Sequence, residues 1–373
     1  MHLTPEIPAA RDKLLFTPGP LTTSLSVKHA MLRDAGSWHT DFNALVASIR
    51  SRLLALAGVS REAGWEAILM QGSGTFGVEA VFQTCVPPNG EVVVLANGAY
   101  GERMAQMLKH ARINHRVLRT GEDVTADPAA LETCLDENPS VTHVAVVHCE
   151  TTTGLLNPIE EIGRIAKRFG KIYVVDAMSS FAGIPIDVET CGIDFLISSA
   201  NKCIEGVPGF SLVLGRRALL LASEGWARSL SLDLLAQLKG FEKDGKFRYT
   251  PPTHSILGFK QALDELDLEG GVPGRNQRYR RNHETLLAGM KRLGFQSYLK
   301  PEVQAPIITS FLFPTSGRFS FDQLYNELSR QGYLIYPGKL TKVDTFRIAN
   351  IGRLFPADMD QLVLAIGVAV SNK

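Results

Sequence analysis

Between residues 65 and 215 the chain contains six short runs that are almost wholly apolar: Ala67–Met70, Val92–Ala96, Val144–Val147, Ile172–Val175, Phe195–Ile197 and Ser211–Leu214. A strand with one wet face alternates apolar and polar residues. Runs that do not alternate suit strands buried on both faces. Amphipathic stretches lie between them, such as Glu102–Ala111 and Ile159–Arg168, the second followed by Gly170 as a helix stop. Strand–helix alternation of this kind predicts an α/β fold, a mostly parallel sheet wrapped by helices. Such sheets bind ligands beyond the carboxyl ends of their strands, so the residues that close each run carry the functional signal.

Two of those ends hold complementary chemistry. Ile172-Tyr173-Val174-Val175 closes on Asp176, and Phe195–Ile197 leads through Ser198-Ser199-Ala200-Asn201 to Lys202. A lysine there can form a Schiff base with an aldehyde. A carboxylate on a neighbouring strand end can keep a pyridine nitrogen protonated, so that the ring accepts electrons. Together they suit pyridoxal phosphate. Gly72-Ser73-Gly74-Thr75-Phe76-Gly77 has the G-x-G-x-x-G spacing of a dinucleotide loop. That reading needs an acidic residue closing the next strand, but Val92–Ala96 closes on Asn97, with Glu79 and Glu91 elsewhere. The same loop suits a monophosphate. Ser73 and Thr75 offer hydroxyls, Gly74 exposes backbone N–H groups, and a helix from near Phe76 adds its dipole.

Beyond Gly270-Gly271-Val272-Pro273-Gly274 the pattern changes. A polar helix over about Arg275–Leu293, strands at Ile307–Phe313, Tyr333–Tyr336 and Phe346–Ala349, and a helix near Phe321–Gln331 predict a small α+β domain with an antiparallel sheet. Residues 1–25 are expected to form an arm, 26–270 a large domain and 271–373 the small one. A net charge of +1 gives no electrostatic reason to expect nucleic acid or an anionic membrane as partner. Cys85, Cys134, Cys149, Cys191 and Cys203 lack metal-ligand spacing, and the nine histidines show no paired-ligand pattern, so no metal is expected. With no signal-peptide pattern and no apolar stretch long enough for a membrane span, the expected location is the cytoplasm. Cysteine catalysis is disfavoured at His148-Cys149, because adjacent residues on a strand face opposite ways.

Several motifs resemble the class V aminotransferases of fold type I. They are Phe16-Thr17-Pro18-Gly19-Pro20, Gln71-Gly72-Ser73-Gly74-Thr75, Asn97-Gly98-Ala99-Tyr100-Gly101, His148-Cys149-Glu150-Thr151-Thr152-Thr153-Gly154, Asp176-Ala177-Met178-Ser179-Ser180 and Ser199-Ala200-Asn201-Lys202. The resemblance implies a seven-stranded, mostly parallel sheet in the large domain and a homodimer with shared sites. It implies Lys202 as the Schiff-base lysine and Asp176 as the pyridinium partner. Ser73, Gly74 and Thr75 would hold the cofactor phosphate, Tyr100 would stack on the ring, and Thr152 would donate toward its phenolic oxygen. Asn201 joins the cofactor set, and Thr253 would reach the phosphate in the partner subunit. Arg347 would take the substrate anion, with Gly19 beside it. Two positions depart from the pattern: Asn201 stands where the class often has Gln, and Tyr100 where related enzymes carry Trp.

Gly36-Ser37-Trp38-His39-Thr40-Asp41-Phe42, Thr250-Pro251-Pro252-Thr253-His254, Tyr336-Pro337-Gly338-Lys339 and Phe346-Arg347-Ile348 narrow the resemblance. They imply transfer of the amino group of 2-aminoethylphosphonate to pyruvate. A serine- or alanine-type aminotransferase acting on glyoxylate or pyruvate, and a non-enzymatic protein that merely binds pyridoxal phosphate, are the competing readings. Physical reasoning on the residues alone does not separate phosphonate from carboxylate.

Overall fold

The computed structural model describes residues 12–314, 319–340 and 343–371. Residues 1–11 of the expected arm lie outside them. The main sheet has seven strands: β1 (Trp65–Gln71), β2 (Glu91–Ala96), β3 (Asn114–Arg119), β4 (His143–Val147), β5 (Ile172–Asp176), β6 (Phe195–Ser199) and β7 (Phe210–Arg216). Their spatial order is β1-β7-β6-β5-β4-β2-β3. β7 runs antiparallel to both β1 and β6, and the other pairings are parallel. The six apolar runs all fall in this sheet. The seventh strand, β3, gave no such signal because it is an edge whose Asn114, His115, Arg116 and Arg119 meet solvent or half-buried positions.

Helices α1 (Gly74–Cys85) and α2 (Ala99–His110) follow β1 and β2. Gly72 turns the chain at φ +108°, a left-handed value that favours glycine. α1 then lies so close to the sheet that a Cβ at Gly77 would stand 2.8 Å from the Ser211 hydroxyl. The Ile159–Arg168 helix forms as expected, whereas α2 begins three residues earlier than the Glu102 start read from periodicity.

After α3 (Thr253–Leu268) comes α4 (Gly271–Arg292), then β8 (Ile308–Leu312), β9 (Tyr336–Pro337), β10 (Thr345–Ala349) and α5 (Pro356–Ser371). The three strands form an antiparallel sheet in the order β8-β10-β9. Apolar side chains from Val27 to Leu266 pack around the main sheet, and a separate cluster joins α4, α5 and the small sheet. Phe16 belongs to the second cluster, and Leu14–Leu15 pairs with Tyr333–Leu334. The N-terminal segment is therefore stitched to the C-terminal part of the chain.

A buried ionic knot binds the two parts. Arg278 of α4 meets Glu205 at 2.7 Å and Glu269 at 2.6 Å, and donates to the carbonyls of Gly352 (2.6 Å) and Leu354 (3.0 Å). The Tyr279 hydroxyl also donates to Glu205, at 2.6 Å. Fully buried Arg275 also meets Glu205 at 3.4 Å and Glu269 at 2.7 Å, so removing Arg278 strips Glu205 of its shorter ion pair and takes a donor from the Gly352 and Leu354 carbonyls. Arg278→Met should therefore lower stability by about 1.5–3 kcal/mol, the loss of a charge-assisted contact while Arg275 remains. Denaturant unfolding of the variant against the parent protein measures this, and a loss below about 1 kcal/mol would show that the knot contributes little.

Candidate active site

The strand register sets the first two groups. Asp176 ends β5 opposite Ile197 of β6, and β6 runs two residues further before the turn that carries Lys202. The Asp176 carboxylate accepts the Met178 N–H at 2.8 Å. Burial pushes its pKa up to about 7, against the Met178 hydrogen bond and the Lys202 charge, while nearby Glu150 pushes the same way as burial. Burial lowers the Lys202 pKa to about 8; Cys203 and Asp176 oppose this, and the charges of Arg347 and Lys339 add to it. The ammonium of Lys202 donates to the Pro18 carbonyl at 2.6 Å. Gly19 follows at φ +126°, where a Cβ would lie 2.5 Å from Lys202 Nζ. Gly19, expected beside the substrate, thus lies directly against the reactive amine.

Ser73, Gly74 and Thr75 stand at the start of α1. Ser73 makes no side-chain capping bond to its own helix, so its hydroxyl is available to a ligand. A Cβ at Gly74 would fall 2.0 Å from Met178 Sδ, which leaves room only for hydrogen there. Arg103 of α2 reaches this cup: its guanidinium lies 4.9 Å from the centre of the Tyr100 ring and 3.5 Å from the Thr75 hydroxyl. Asn201 accepts from Ser199 at 3.1 Å. Thr253 opens α3, half-buried, just beyond Thr250, whose carbonyl accepts from Gln71 at the end of β1.

Thr152, expected to donate toward the cofactor ring, meets Glu150 here. Its hydroxyl donates to Glu150 and accepts the Ala99 N–H at 3.2 Å, so in this structure its proton is spent on a carboxylate. Glu150 is fully buried and also accepts from the backbone N–H groups of Tyr100 (3.1 Å), Gly101 (3.3 Å) and Thr152 (3.1 Å). Burial raises its pKa and these donors oppose the rise. A Cβ at Gly98 would come within 2.4 Å of its side chain. Glu150 therefore fastens the start of α2, and with it Tyr100 and Arg103, to the Thr152 turn. Sequence reasoning gave no role to Glu150 or Arg103. The available signals were the carboxylate two residues before Thr152 and an arginine one helical turn after Tyr100.

Arg347, on the central strand of the small sheet, is 1% exposed. Its Nε donates to the Pro337 carbonyl at 2.9 Å and its Nη1 to the Thr151 carbonyl at 2.8 Å. Burial lowers its pKa, opposed by Tyr100, Tyr336 and Glu150. The small sheet thus delivers a guanidinium to the turn that also carries Thr152. His39 and His254 are exposed and pair with Asp41 and Asp34. The five cysteines are free and buried, and burial pushes the Cys149 thiol up to about 12, far from a ready nucleophile. Among the described residues, no group of three or more His, Cys, Asp or Glu side chains is placed to hold a metal.

A lysine, a buried carboxyl and a hydroxyl-bearing helix start are thus gathered at the ends of a mostly parallel sheet. Residues 24–339 match the model of the family "Aminotransferase class-V", and the chain belongs to that family. It is 54% identical over 353 residues to the 2-aminoethylphosphonate–pyruvate transaminase of Syntrophobacter fumaroxidans, covering 94% of this chain and 95% of the relative. It is 50% identical over 363 residues to the enzyme of the same name from Salmonella agona, covering 97% and 98%. Solved structures with the same fold include pyridoxamine–pyruvate aminotransferase from Mesorhizobium loti (TM-score 0.88, 23% identity, 98% of this chain and 94% of that one). Another is alanine–glyoxylate aminotransferase from Nostoc sp. (TM-score 0.89, 23% identity, 99% and 98%). The family and fold imply pyridoxal phosphate, and the tight glycines, the uncommitted Ser73 hydroxyl and the depressed Lys202 fit it.

Only the neutral amine attacks an aldehyde. Covalent capture of pyridoxal phosphate by the apoprotein, followed by visible absorbance, should therefore accelerate as pH rises to about 8 and level off above. A rate still climbing towards about pH 10, as for an ordinary lysine, would rule out the depressed amine.

Proposed function

We propose that the protein transfers the amino group of 2-aminoethylphosphonate to pyruvate, giving phosphonoacetaldehyde and L-alanine. The observation that carries this reading is the convergence of Asp176, Lys202 and a nearly inaccessible Arg347 on one site. The near-full-length likeness to relatives of that name supports the choice of substrates.

When bound, pyridoxal phosphate supplies a ring that withdraws electrons from the amine-bearing carbon of the donor. Ser73, the N–H groups at Gly74 and Thr75, and the Thr75 hydroxyl would hold its phosphate at the positive end of α1, with Arg103 adding a full charge. Asp176, its pKa raised to about 7, would hold a proton at the pyridine nitrogen. The Tyr100 ring presents a flat apolar face for stacking, and Asn201 lines the approach to the lysine. Lys202 Nζ, neutral in part near pH 8, would take a proton from the substrate carbon and return it. Arg347 orients the anionic end of the donor and, in the return half-reaction, the carboxylate of pyruvate. The same site thereby serves both partners in turn.

We read residues 26–270 and 271–373 as a large and a small domain, a division supported by their separate apolar clusters. No helix among the described residues is long and apolar enough to cross a membrane, and five free buried cysteines suit a reducing compartment, so the cytoplasm is the proposed location. A homodimer is proposed as the working form. Trp38 is 80% exposed and shares a cleft with Thr250 and Pro251, the approach to Thr253. The Lys246 ammonium lies 3.7 Å over the Trp38 ring at the mouth of this cleft, and a second copy docked there would bring Thr253 to the partner's cofactor phosphate. Sedimentation at assay concentration should give twice the 40.8 kDa chain; a fully active monomer would end this reading.

Donor profiling tests the function. The protein loaded with pyridoxal phosphate should convert 2-aminoethylphosphonate with pyruvate faster than it converts alanine or serine with glyoxylate, and the reverse ranking would favour the competing aminotransferase. In the same assay Arg347→Ala should cost at least about tenfold in kcat/KM for each half-reaction, the loss of one charge-assisted contact. Arg347→Lys should recover only part, since it lacks the planar fork.

A further inference from the structure

The guanidinium of Arg347 is not wholly free for a ligand. Its Nε is spent on the Pro337 carbonyl and one Nη1 proton on the Thr151 carbonyl. What remains is Nη2 and the second Nη1 proton, donors enough for the two oxygens of a carboxylate. A phosphonate has three oxygens and, by analogy with phosphate esters, approaches a charge of −2 above about pH 6. One guanidinium leaves that second charge unanswered.

The strand that anchors Arg347 also brings a second cation. Tyr336 and Pro337 pair with Arg347 and Phe346. The next residue, Gly338, donates its N–H to the Thr345 carbonyl at 2.9 Å and sits so close that a Cβ would meet Thr345 at 2.3 Å. This turn fixes the start of Lys339, whose ammonium lies 5.6 Å from the centre of the Tyr100 ring. Tyr100 is also an electrostatic neighbour of Arg347, and both Arg347 and Lys339 act on Lys202. Glu102, Arg119, Glu122, Asp123 and Tyr298 line the cleft that Lys339 borders; Glu102 is engaged by Arg119 at 2.6 Å. The Lys339 stem is exposed and flexible, so its charge can follow a ligand.

We propose that Lys339 is a specificity-determining residue, a second cation that answers the extra charge of a phosphonate and so favours it over a carboxylate at the Arg347 site. This rests on the reading of the donor as an aminophosphonate. A monoanionic carboxylate is served by Arg347 alone, whereas the dianion draws on both cations. Lys339 therefore acts through the substrate's charge and leaves cofactor binding to other residues.

The test compares the holoenzyme and Lys339→Met with 2-aminoethylphosphonate and with L-alanine as amino donors. The ratio of kcat/KM for phosphonate over alanine should fall at least about tenfold in the variant, while Lys339→Arg stays within about threefold of the parent. The gap between parent and variant on the phosphonate should narrow from about pH 7.5 to about pH 5.5, as the second phosphonate charge is neutralised. Comparing the two proteins at each pH cancels the titration of the groups they share. A ratio unchanged within about twofold, or an equal loss on both donors, would overturn the proposal. If the methionine variant fails to fold, inhibition of the parent by methylphosphonate against acetate over the same pH range decides: tightening with ionisation for methylphosphonate alone supports the second cation, and parallel curves refute it. Failure of the parent to use 2-aminoethylphosphonate at all would instead remove the underlying functional reading.

Discussion

Everything in this site depends on two ionisable groups being held dry at neighbouring strand ends. In water Asp176 would be fully ionised and Lys202 fully protonated at neutral pH, and neither could exchange a proton usefully. Burial raises one and lowers the other until the two come within reach of each other and of neutrality. The parallel sheet makes this possible. Its strands are covered on both faces, so a residue at their carboxyl ends is enclosed by the loops and helix starts that follow. The enclosure is finished by the segment from Phe16 to Leu21, whose Pro18 carbonyl takes the lysine's hydrogen bond.

Glu150 extends the same logic to neutral parts of the site. A carboxylate buried without partners would cost several kcal/mol. Here four donors, two of them from the first turn of α2, converge on it. The result is a rigid link between the Tyr100–Arg103 turn and the Thr151–Thr152 turn. Because Thr151 in turn holds Arg347, the large sheet and the small sheet are registered to each other through one short stretch of backbone. Positional accuracy of this kind matters where a proton has to move between atoms fixed by separate elements.

Much of this architecture was legible in the sequence because strands buried on both faces leave unbroken apolar runs. All six such runs belong to the main sheet; Asp176 closes one of them, and Lys202 stands on the turn just past another. β3 escaped because its edge position permits polar residues, and the α2 start escaped because Gly98 and Ala99 carry no periodic signal. Thr152 could be placed in the site by motif, but the direction of its hydroxyl depends on Glu150, which only the folded backbone brings into position. Likewise nothing in Phe346-Arg347-Ile348 reveals that two carbonyls far apart in sequence hold that guanidinium. Patterns of burial are local in sequence; hydrogen-bond partners across 196 positions are not.

The ionic knot around Arg278 has a bearing on how the molecule is made. Glu205, three residues beyond the lysine, is neutralised by Arg275 and Arg278 of α4, and Arg278 is braced by carbonyls at 352 and 354. A nascent chain emerging from the ribosome can assemble its sheet early, from residues already available. The loop bearing Lys202 gains its full set of counter-charges only once α4 has been translated, and their bracing only with the segment leading into α5. Unfinished chains would then hold the sheet without the cations and carbonyls that fasten the turn beside Lys202.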